Sequence, residues 1–470
     1  MRRAYAILLA LCCALAGALV TAAPANAAPQ TVANGTQFTD TSGNPVHAHG
    51  GGIIKVGSYY YWFGEHRNAD NTFRYVDAYR STDLKNWEFR NHVLTQSTHP
   101  ELAVANIERP KVMYNASTGK FVMWMHKENG SDYSEARAAV AVSDTVDGNY
   151  TWQGSFRPLG QHMSRDITVF VDTDGTGYMV SAARENYDLH IYRLTSDYTG
   201  IATLVADPWH GGHREAPALF KRNGVYFMLT SGATGWSPNQ QQYATATNLA
   251  GPWSAMTNVG DSTAYGSQTT YVLPVQGSSG TSYLYLGDRW GNSFGGTVND
   301  SRYVWLPLTF PTSTSVSMSW SPEVTIDAAA GTISGTSATY DTLIARHSSK
   351  CADVTSQSLW QGAQIKQYDC NGGNNQKYWF KSVGSGYYRL MVRNSSLCVQ
   401  ENASTVTQEN CNASATNQQW SLTTTGSYVN VRSRATGECL DVSGASTANS
   451  AALITYTCNG GTNQQWTRGT

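Results

Sequence analysis

A threefold internal repeat over residues 340–470 constrains the fold more than any other feature of the sequence. Arg346, Arg393 and Arg434 each stand five residues before a cysteine (Cys351, Cys398, Cys439). A second cysteine follows 19, 13 and 19 residues later (Cys370, Cys411, Cys458). Beyond it come an Asn-Gln pair and an aromatic residue: Asn375-Gln376-Lys377-Tyr378-Trp379, Asn417-Gln418-Gln419-Trp420 and Asn463-Gln464-Gln465-Trp466. The first copy reads as carrying one extra residue between Gln376 and Trp379. The copies lie 41 to 47 residues apart. Units of that size built from short strands cannot each enclose a core, so three must share one about a pseudo-axis. Six cysteines permit fifteen pairings. Closing each bridge inside its own repeat is the economical solution.

The cysteines also bear on compartment. Residues 1–27 read as a secretory signal, with Arg2 and Arg3, an apolar run from Ala6 to Val20 and the small-x-small Ala25-Asn26-Ala27. That run is short for a bilayer, and no later stretch approaches the ~20 apolar residues of a membrane helix. An even set of cysteines in an exported chain reads as disulfides, so an extracellular location is expected. A membrane anchor is the competing reading of the first segment. Once it is removed, 30 Lys+Arg face 33 Asp+Glu, which leaves no basic face for nucleic acid or an anionic membrane. Charged residues are only 14%, whereas Tyr and Trp number 27 and 14. This composition suits an all-β protein that handles neutral ligands.

A second, weaker repeat occupies residues 28–327. Five stretches join an apolar strand, a Gly- or Asn-bearing turn and an aromatic-rich strand: 53–64, 111–126, 169–182, 218–232 and 271–288. Further strand signals end near Trp87, Trp152, Trp253 and Trp320. Five units of four strands predict a five-bladed β-propeller, with a β-sandwich or a parallel β-helix as alternatives. Residues 328–339 are small, polar and uncharged, which predicts a linker.

Propeller active sites collect residues from the starts of the inner strands. Four polar residues interrupt β-prone sequence there: Glu108 before Arg109-Pro110, Asp166 before Ile167, Glu215 before Ala216-Pro217, and Gln268 before Thr269. A carboxyl that protonates a leaving oxygen needs a raised pKa, hence burial near other carboxylates. Glu215 suits that part, and Asp166 suits that of the like charge keeping it protonated. Arg109 is expected to lower the pKa of Glu108, which fits a base or a water-orienting group. Singly, each residue also has a plain reading: a pair with the neighbouring Arg214, Arg165 or Arg109, or a satisfied interior amide. The histidine pairs His47/His49 and His210/His213 lack cysteines or carboxylates at ligand spacing, so no metal is expected and a solvated or substrate-facing role is assigned. Neither a phosphate-binding loop nor a Gly-x-Ser-x-Gly elbow occurs.

Together these motifs resemble known families. Residues 340–470 resemble a family 13 carbohydrate-binding module, a ricin-B-like β-trefoil marked by Gln-x-Trp. Residues 35–325 resemble glycoside hydrolase family 43, a five-bladed propeller family. The resemblance implies that Glu215 is the general acid and Asp166 its pKa modulator. The family's general base, an Asp before the first hairpin, has no counterpart in His47-Ala48-His49-Gly50-Gly51-Gly52, where Gly50 or a neighbour takes its place. That departure, with Glu108-Arg109-Pro110 and Ser267-Gln268-Thr269, resembles the exo-β-1,3-galactanase branch. It implies inversion, with a water held jointly by Glu108 and Gln268; which of them takes the proton stays open, Gln268 requiring its imidic-acid form. Glu65, Arg109, Asn186 and Trp236 are expected to bind the terminal galactose. In the trefoil, Asp353, Tyr368 and Asn371 of the first repeat, and Asp441, Tyr456 and Asn459 of the third, are expected to form two sugar sites. The middle repeat, with Gln400 and Glu409 in their places, is expected to be structural. The overall expectation is a secreted, monomeric enzyme without cofactor acting on β-1,3-galactan in arabinogalactan. Another family 43 glycosidase or a non-catalytic polysaccharide binder is the alternative.

Overall fold

The computed structural model describes residues 28–403 and 405–469. The expected signal segment, with Cys12 and Cys13, lies outside the described residues. Five antiparallel sheets of four consecutive strands follow one another along the chain. Each opens with one of the hairpins read from the sequence: His49–Val56 with Tyr59–Arg67, Asn106–Asn115 with Lys120–Glu128, Ile167–Val171 with Gly177–Ala183, Arg214–Arg222 with Val225–Gly232, and Gln268–Gly277 with Gly280–Arg289. The first strands of successive sheets lie side by side, and the fifth returns to the first.

Alternation explains why these strands are so apolar. Successive side chains point to opposite faces of a sheet, and here both faces are covered. In Tyr59–Arg67, Trp62 packs toward the fifth sheet with Leu286 and Trp305. Its neighbour Phe63 packs toward the second, with Met123 and Met125. Similar cores lie between the second and third, third and fourth, and fourth and fifth sheets.

The ends of this ring are held by a sixth sheet. Gln30–Ala33 pairs with Glu323–Asp327, which pairs with Thr332–Gly335. The last of these strands falls within residues 328–339, where composition had predicted a linker. Small side chains allow this, because Gly331 packs directly on the backbone of Gly277 and Gly280.

The C-terminal domain is a single twelve-stranded sheet system around one core, in which Tyr378, Trp420 and Trp466 are equivalent and buried. The first repeat therefore has no extra residue. Tyr378 fills the tryptophan position, while Trp379 is the next residue on the strand. Three disulfides close within the repeats, Cys351–Cys370, Cys398–Cys411 and Cys439–Cys458.

Candidate active site

A backbone irregularity shared by the inner strands builds the site. Pairing with the second strand slips between His49 and Gly52, between Glu108 and Lys111, and between Glu215 and Ala218. At each slip one residue takes a left-handed backbone: Gly50 (φ 63°), Arg109 (φ 51°) and Ala216 (φ 51°). For Arg109 and Ala216 that conformation stores strain, and bulges of this kind re-aim side chains beside active sites. Pro110 and Pro217 follow, which a bulge tolerates because the ladder bond is already lost there. The slips bring the ends of four inner strands to one cavity of about 190 Å³. It is lined by all eight residues singled out in this domain: Glu65, Glu108, Arg109, Asp166, Asn186, Glu215, Trp236 and Gln268.

Glu215 is 5% exposed, with its oxygens held by Asn186 Nδ2 (2.8 Å) and Gln268 Nε2 (3.0 Å). Burial, then the Asp166 charge, push its pKa up to about 8 against the pull of Arg109. Arg214 makes no ion pair with it, its guanidinium donating to Thr230, and pulls the pKa down less than Arg109 does. Asp166 accepts from the Ala216 amide (3.1 Å) and pairs with Arg109 Nε (2.9 Å).

Glu108 is in the opposite state. Burial alone would raise its pKa, but His126 and Arg67 outweigh that and hold the carboxyl well below the usual range. Arg67 Nη2 (2.9 Å), Tyr133 Oη (2.8 Å) and His126 Nδ1 (3.1 Å) surround it. His126, flanked also by Glu128, is pushed up to about 9 despite its burial. The expectation that Arg109 lowers the pKa of Glu108 is thus corrected. The slip after Glu108 turns Arg109 away, to Gln268 Oε1 (2.6 Å), Thr269 O (3.0 Å) and Asp166.

Gln268 has every hydrogen-bonding site taken. Its Oε1 accepts from Arg109 and from Trp290 Nε1 (2.7 Å), while Nε2 donates to Glu215 and to Ser231 Oγ (2.9 Å). An oxygen facing two donors and a nitrogen facing two acceptors is the bonding pattern of the amide form. Glu65 accepts twice from Arg67 (3.1 and 2.7 Å) and once from the Arg109 amide (2.8 Å). Asn186 donates its Nδ2 to Glu215 and leaves its buried Oδ1 without a partner, and Trp236 meets Trp290 edge-to-face at 5.2 Å.

The missing base position also has a physical cause. A Cβ on Gly50 would lie 2.3 Å from Glu65 Oε1. The Glu65 carboxylate fills the space that a side chain at position 50 would need.

Sequence reasoning missed Arg67, His126, Tyr133 and Trp290, which come from second strands and loops with no motif to mark them. It also assigned His49 a solvated or substrate-facing role. His49 is buried, with Nδ1 on Asp288 (3.1 Å) and its ring stacked on Tyr303. Among the described residues, three groups of His and carboxylates have the spacing to hold an ion: His66-Asp77-His92, Glu108-His126-Asp166 and Asp188-Asp207-His210. Each draws on different strands or loops, so residue spacing did not reveal them. In the first, both imidazoles already hydrogen-bond the carboxylate (2.9 and 2.5 Å).

In the trefoil, Asp353, Tyr368 and Asn371 line one hollow. Asp353 accepts from Asn375 (2.9 Å) and Gln376 (2.8 Å), and Asp441 accepts likewise from Asn463 (2.9 Å) and Gln464 (2.8 Å). The amides beside the carboxylates are therefore Asn375 and Asn463. Asn371 and Asn459 instead spend their side-chain oxygens on the Gly373 and Gly461 amides. Tyr368 and Tyr456 are 43% and 54% exposed, as a stacking platform must be.

Residues 43–287 match the model of Glycosyl hydrolases family 43, and residues 339–466 that of the Ricin-type beta-trefoil lectin domain. The exo-β-1,3-galactanase 1,3Gal43A from Clostridium thermocellum is 48% identical, over 93% of this chain and 99% of that one, with a TM-score of 0.66. An exo-β-1,3-galactanase variant from Phanerochaete chrysosporium, solved with β-1,3-galactotriose, is 29% identical over 91% of this chain and 100% of that one (TM-score 0.66). The family 43 β-1,3-galactosidase BT3683, solved with galactodeoxynojirimycin, is 36% identical over 62% of this chain and 98% of that one (TM-score 0.57). A curated relative, the β-agarase AgaB34 of Agarivorans albus, is 37% identical over 59 residues, so the chain spans 13% of that protein's length. The family model covers more than half of the chain, and the protein is a glycoside hydrolase of family 43 with a C-terminal ricin-type β-trefoil lectin domain.

Proposed function

We propose that the protein is a secreted, monomeric, inverting exo-β-1,3-galactanase that releases galactose from the non-reducing end of the β-1,3-galactan backbone of arabinogalactan. In this reading the five sheets are the blades of a five-bladed propeller. One observation carries it: two buried carboxyls, Glu215 and Glu108, share a cavity with their pKa values driven in opposite directions. That separation is the mark of an acid and its ionised partner. The similar galactanases and the β-1,3-galactosidase support the choice of substrate. A cavity of about 190 Å³ is on the scale of one pyranose, which favours release of single sugars from a chain end.

Glu215, protonated near neutral pH, gives its proton to the glycosidic oxygen. Asn186 and Gln268 hold its carboxyl in place, and Asp166 and burial keep the proton on it until it is needed. Glu108 holds the attacking water on the far side of the ring, where inversion needs carboxyls ~6.5–9.5 Å apart. As the water attacks, its proton goes to the Glu108 carboxylate, which His126 and Arg67 keep ionised beforehand, and returns to solvent once the products leave. Gln268 orders the acid and does not act as the base. Trp236 and Trp290 supply apolar walls for the sugar's C–H face.

Incubation of the mature protein with β-1,3-galactan, arabinan and xylan, followed by proton NMR, tests the whole reading. Galactose released first as the α-anomer, from galactan alone, is expected. Arabinose, xylose, internal oligosaccharides or initial β-galactose would refute it. Glu108→Ala is expected to lose most galactan activity, and near-normal turnover would remove its assigned role.

A further inference from the structure

One loop ties Gln268, and the Arg67 that holds Glu108, to the second domain. Residues 290–301 leave the fifth sheet at Trp290 and rejoin it before Arg302. At one end Trp290 donates to Gln268 Oε1. Near the other, Asn299 accepts from the Arg67 amide (3.0 Å) and donates to the Arg67 carbonyl (2.8 Å). The Arg67 guanidinium in turn holds Glu65 and Glu108. The loop is built from two short 3₁₀ turns, Gly291–Phe294 and Val298–Asp300; Trp290 and Val298 bury its ends in the catalytic domain, while residues 292–297 between them are exposed or half-buried. A stretch like that middle one takes its position from whatever packs on it.

The trefoil packs on it. Trp360 lays its ring edge-to-face against Phe294 (5.2 Å) and donates its indole N–H to the Phe294 carbonyl (3.2 Å). Gly296 admits the indole, since a Cβ there would lie 2.9 Å from Trp360 Cη2. The two arginines at the loop's roots reach the same domain: Arg289 donates to Asn394 O (2.7 Å) and Arg302 to Ser395 O (3.3 Å). Trp360 does not line the hollow formed by Asp353 and Tyr368.

We infer that Trp360 of the trefoil is a positioning residue for the catalytic domain, setting the 290–301 loop and through it Trp290–Gln268 and Arg67–Glu108. The lectin domain then has two separable parts to play, carrying polysaccharide and completing the active site. The inference rests on the galactanase reading only for its choice of substrate.

The test compares full-length wild type, Trp360→Ala, Trp360→Phe and Thr424→Ala, an exposed trefoil position away from the domain contact. The substrate is soluble β-1,3-galactotriose, too short to bridge the domains. For Trp360→Ala, kcat is expected to fall about tenfold, inside the ~100-fold that a 1 Å misplacement can cost. KM and affinity for insoluble galactan should stay within about twofold, set against that same range. Trp360→Phe, which keeps an aromatic ring, should recover most of kcat, and Thr424→Ala should keep wild-type kcat on the trisaccharide. A wild-type kcat in Trp360→Ala, or a loss confined to KM, overturns the inference. Hydrogen exchange of residues 290–301 is read in the same proteins and needs no substrate. Faster exchange in Trp360→Ala alone supports the inference, and unchanged exchange overturns it. A wild-type protein inert toward galactotriose would instead count against the galactanase reading.

Discussion

Glu215 and His126 make the site's chemistry depend on pH in a direction that can be worked out. Glu215 ionises near 8 in the folded protein against 4.5 for an ordinary glutamic acid. It must be protonated to act, so kcat/KM is expected to fall as pH rises through about 8. Asp166→Asn removes a like charge and frees Arg109, and the basic limb of the kcat/KM profile should move to lower pH; an unmoved limb would show that Asp166 does not tune the acid. The same shift bears on stability, because the folded state keeps a proton that the unfolded chain sheds from 4.5 upward, so stability declines between 4.5 and 8. His126 is raised from 6.5 to about 9, and its contribution is complete below 6.5 and lost as pH climbs toward 9. Both groups predict a melting temperature that falls from pH 6.5 to 9, measurable by calorimetry. Gly50 gives a steric prediction. Gly50→Asp, which would restore the family's expected base, combines a left-handed φ of 63° with a 2.3 Å approach to Glu65. It should lower both the melting temperature and activity; a functional variant would contradict the view that Glu65 excludes a side chain there.

At the scale of elements, the same bulge repeated in the inner strands does what a single motif could not. Glu108-Arg109-Pro110 and Glu215-Ala216-Pro217 each hold one residue at φ 51° so that the preceding carboxylate faces the axis while the following residues return to the sheet. Below the bulges Lys111 reaches across the axis, with Nζ donating to Gly50 O (2.6 Å) and lying 3.4 Å from Arg109 O. Burial drives the pKa of this ammonium group well down. The interfaces between sheets supply the stability that carries this strain. Trp124, fully buried between the second and third sheets, should cost about 3–5 kcal/mol when replaced by Ala, read from denaturant midpoints. The five hairpins were legible because their apolar pattern and turn residues are local. The bulges were not, since a slip in register is a relation between two strands. Nor was the strand Thr332–Gly335, whose small polar residues look like linker until their neighbours are known.

Over the whole molecule, the lectin domain meets the catalytic domain through side chains as well as through the connecting chain. Lys381 pairs with Glu323, and Trp320 donates to Tyr340 Oη (2.9 Å). Two tethered weak sites raise effective affinity for a polymer by ~10²–10⁴-fold. Asp353→Ala and Asp441→Ala should therefore each weaken galactan retention, and the double variant should abolish it; a third site seen by titration would contradict this count. The disulfides close loops of 13 to 19 residues, each worth about 3 kcal/mol. Reductant should accordingly lower the melting temperature of the trefoil more than that of the catalytic domain.

The residues by themselves determined the two repeat systems and the set of polar residues at the starts of the inner strands, and made pairing of the cysteines within repeats the economical solution. Those are properties of spacing and alternation, which the chain carries along its own length. What surrounds each of those residues was decided only when distant strands met. Arg67 rather than Arg109 neutralises Glu108, Gln268 has all four of its hydrogen bonds inside the protein, and Tyr378 rather than Trp379 completes the trefoil core. A charge's partner, an amide's free lone pair and the room beside a glycine are facts of three-dimensional neighbourhood, and sequence distance does not encode them.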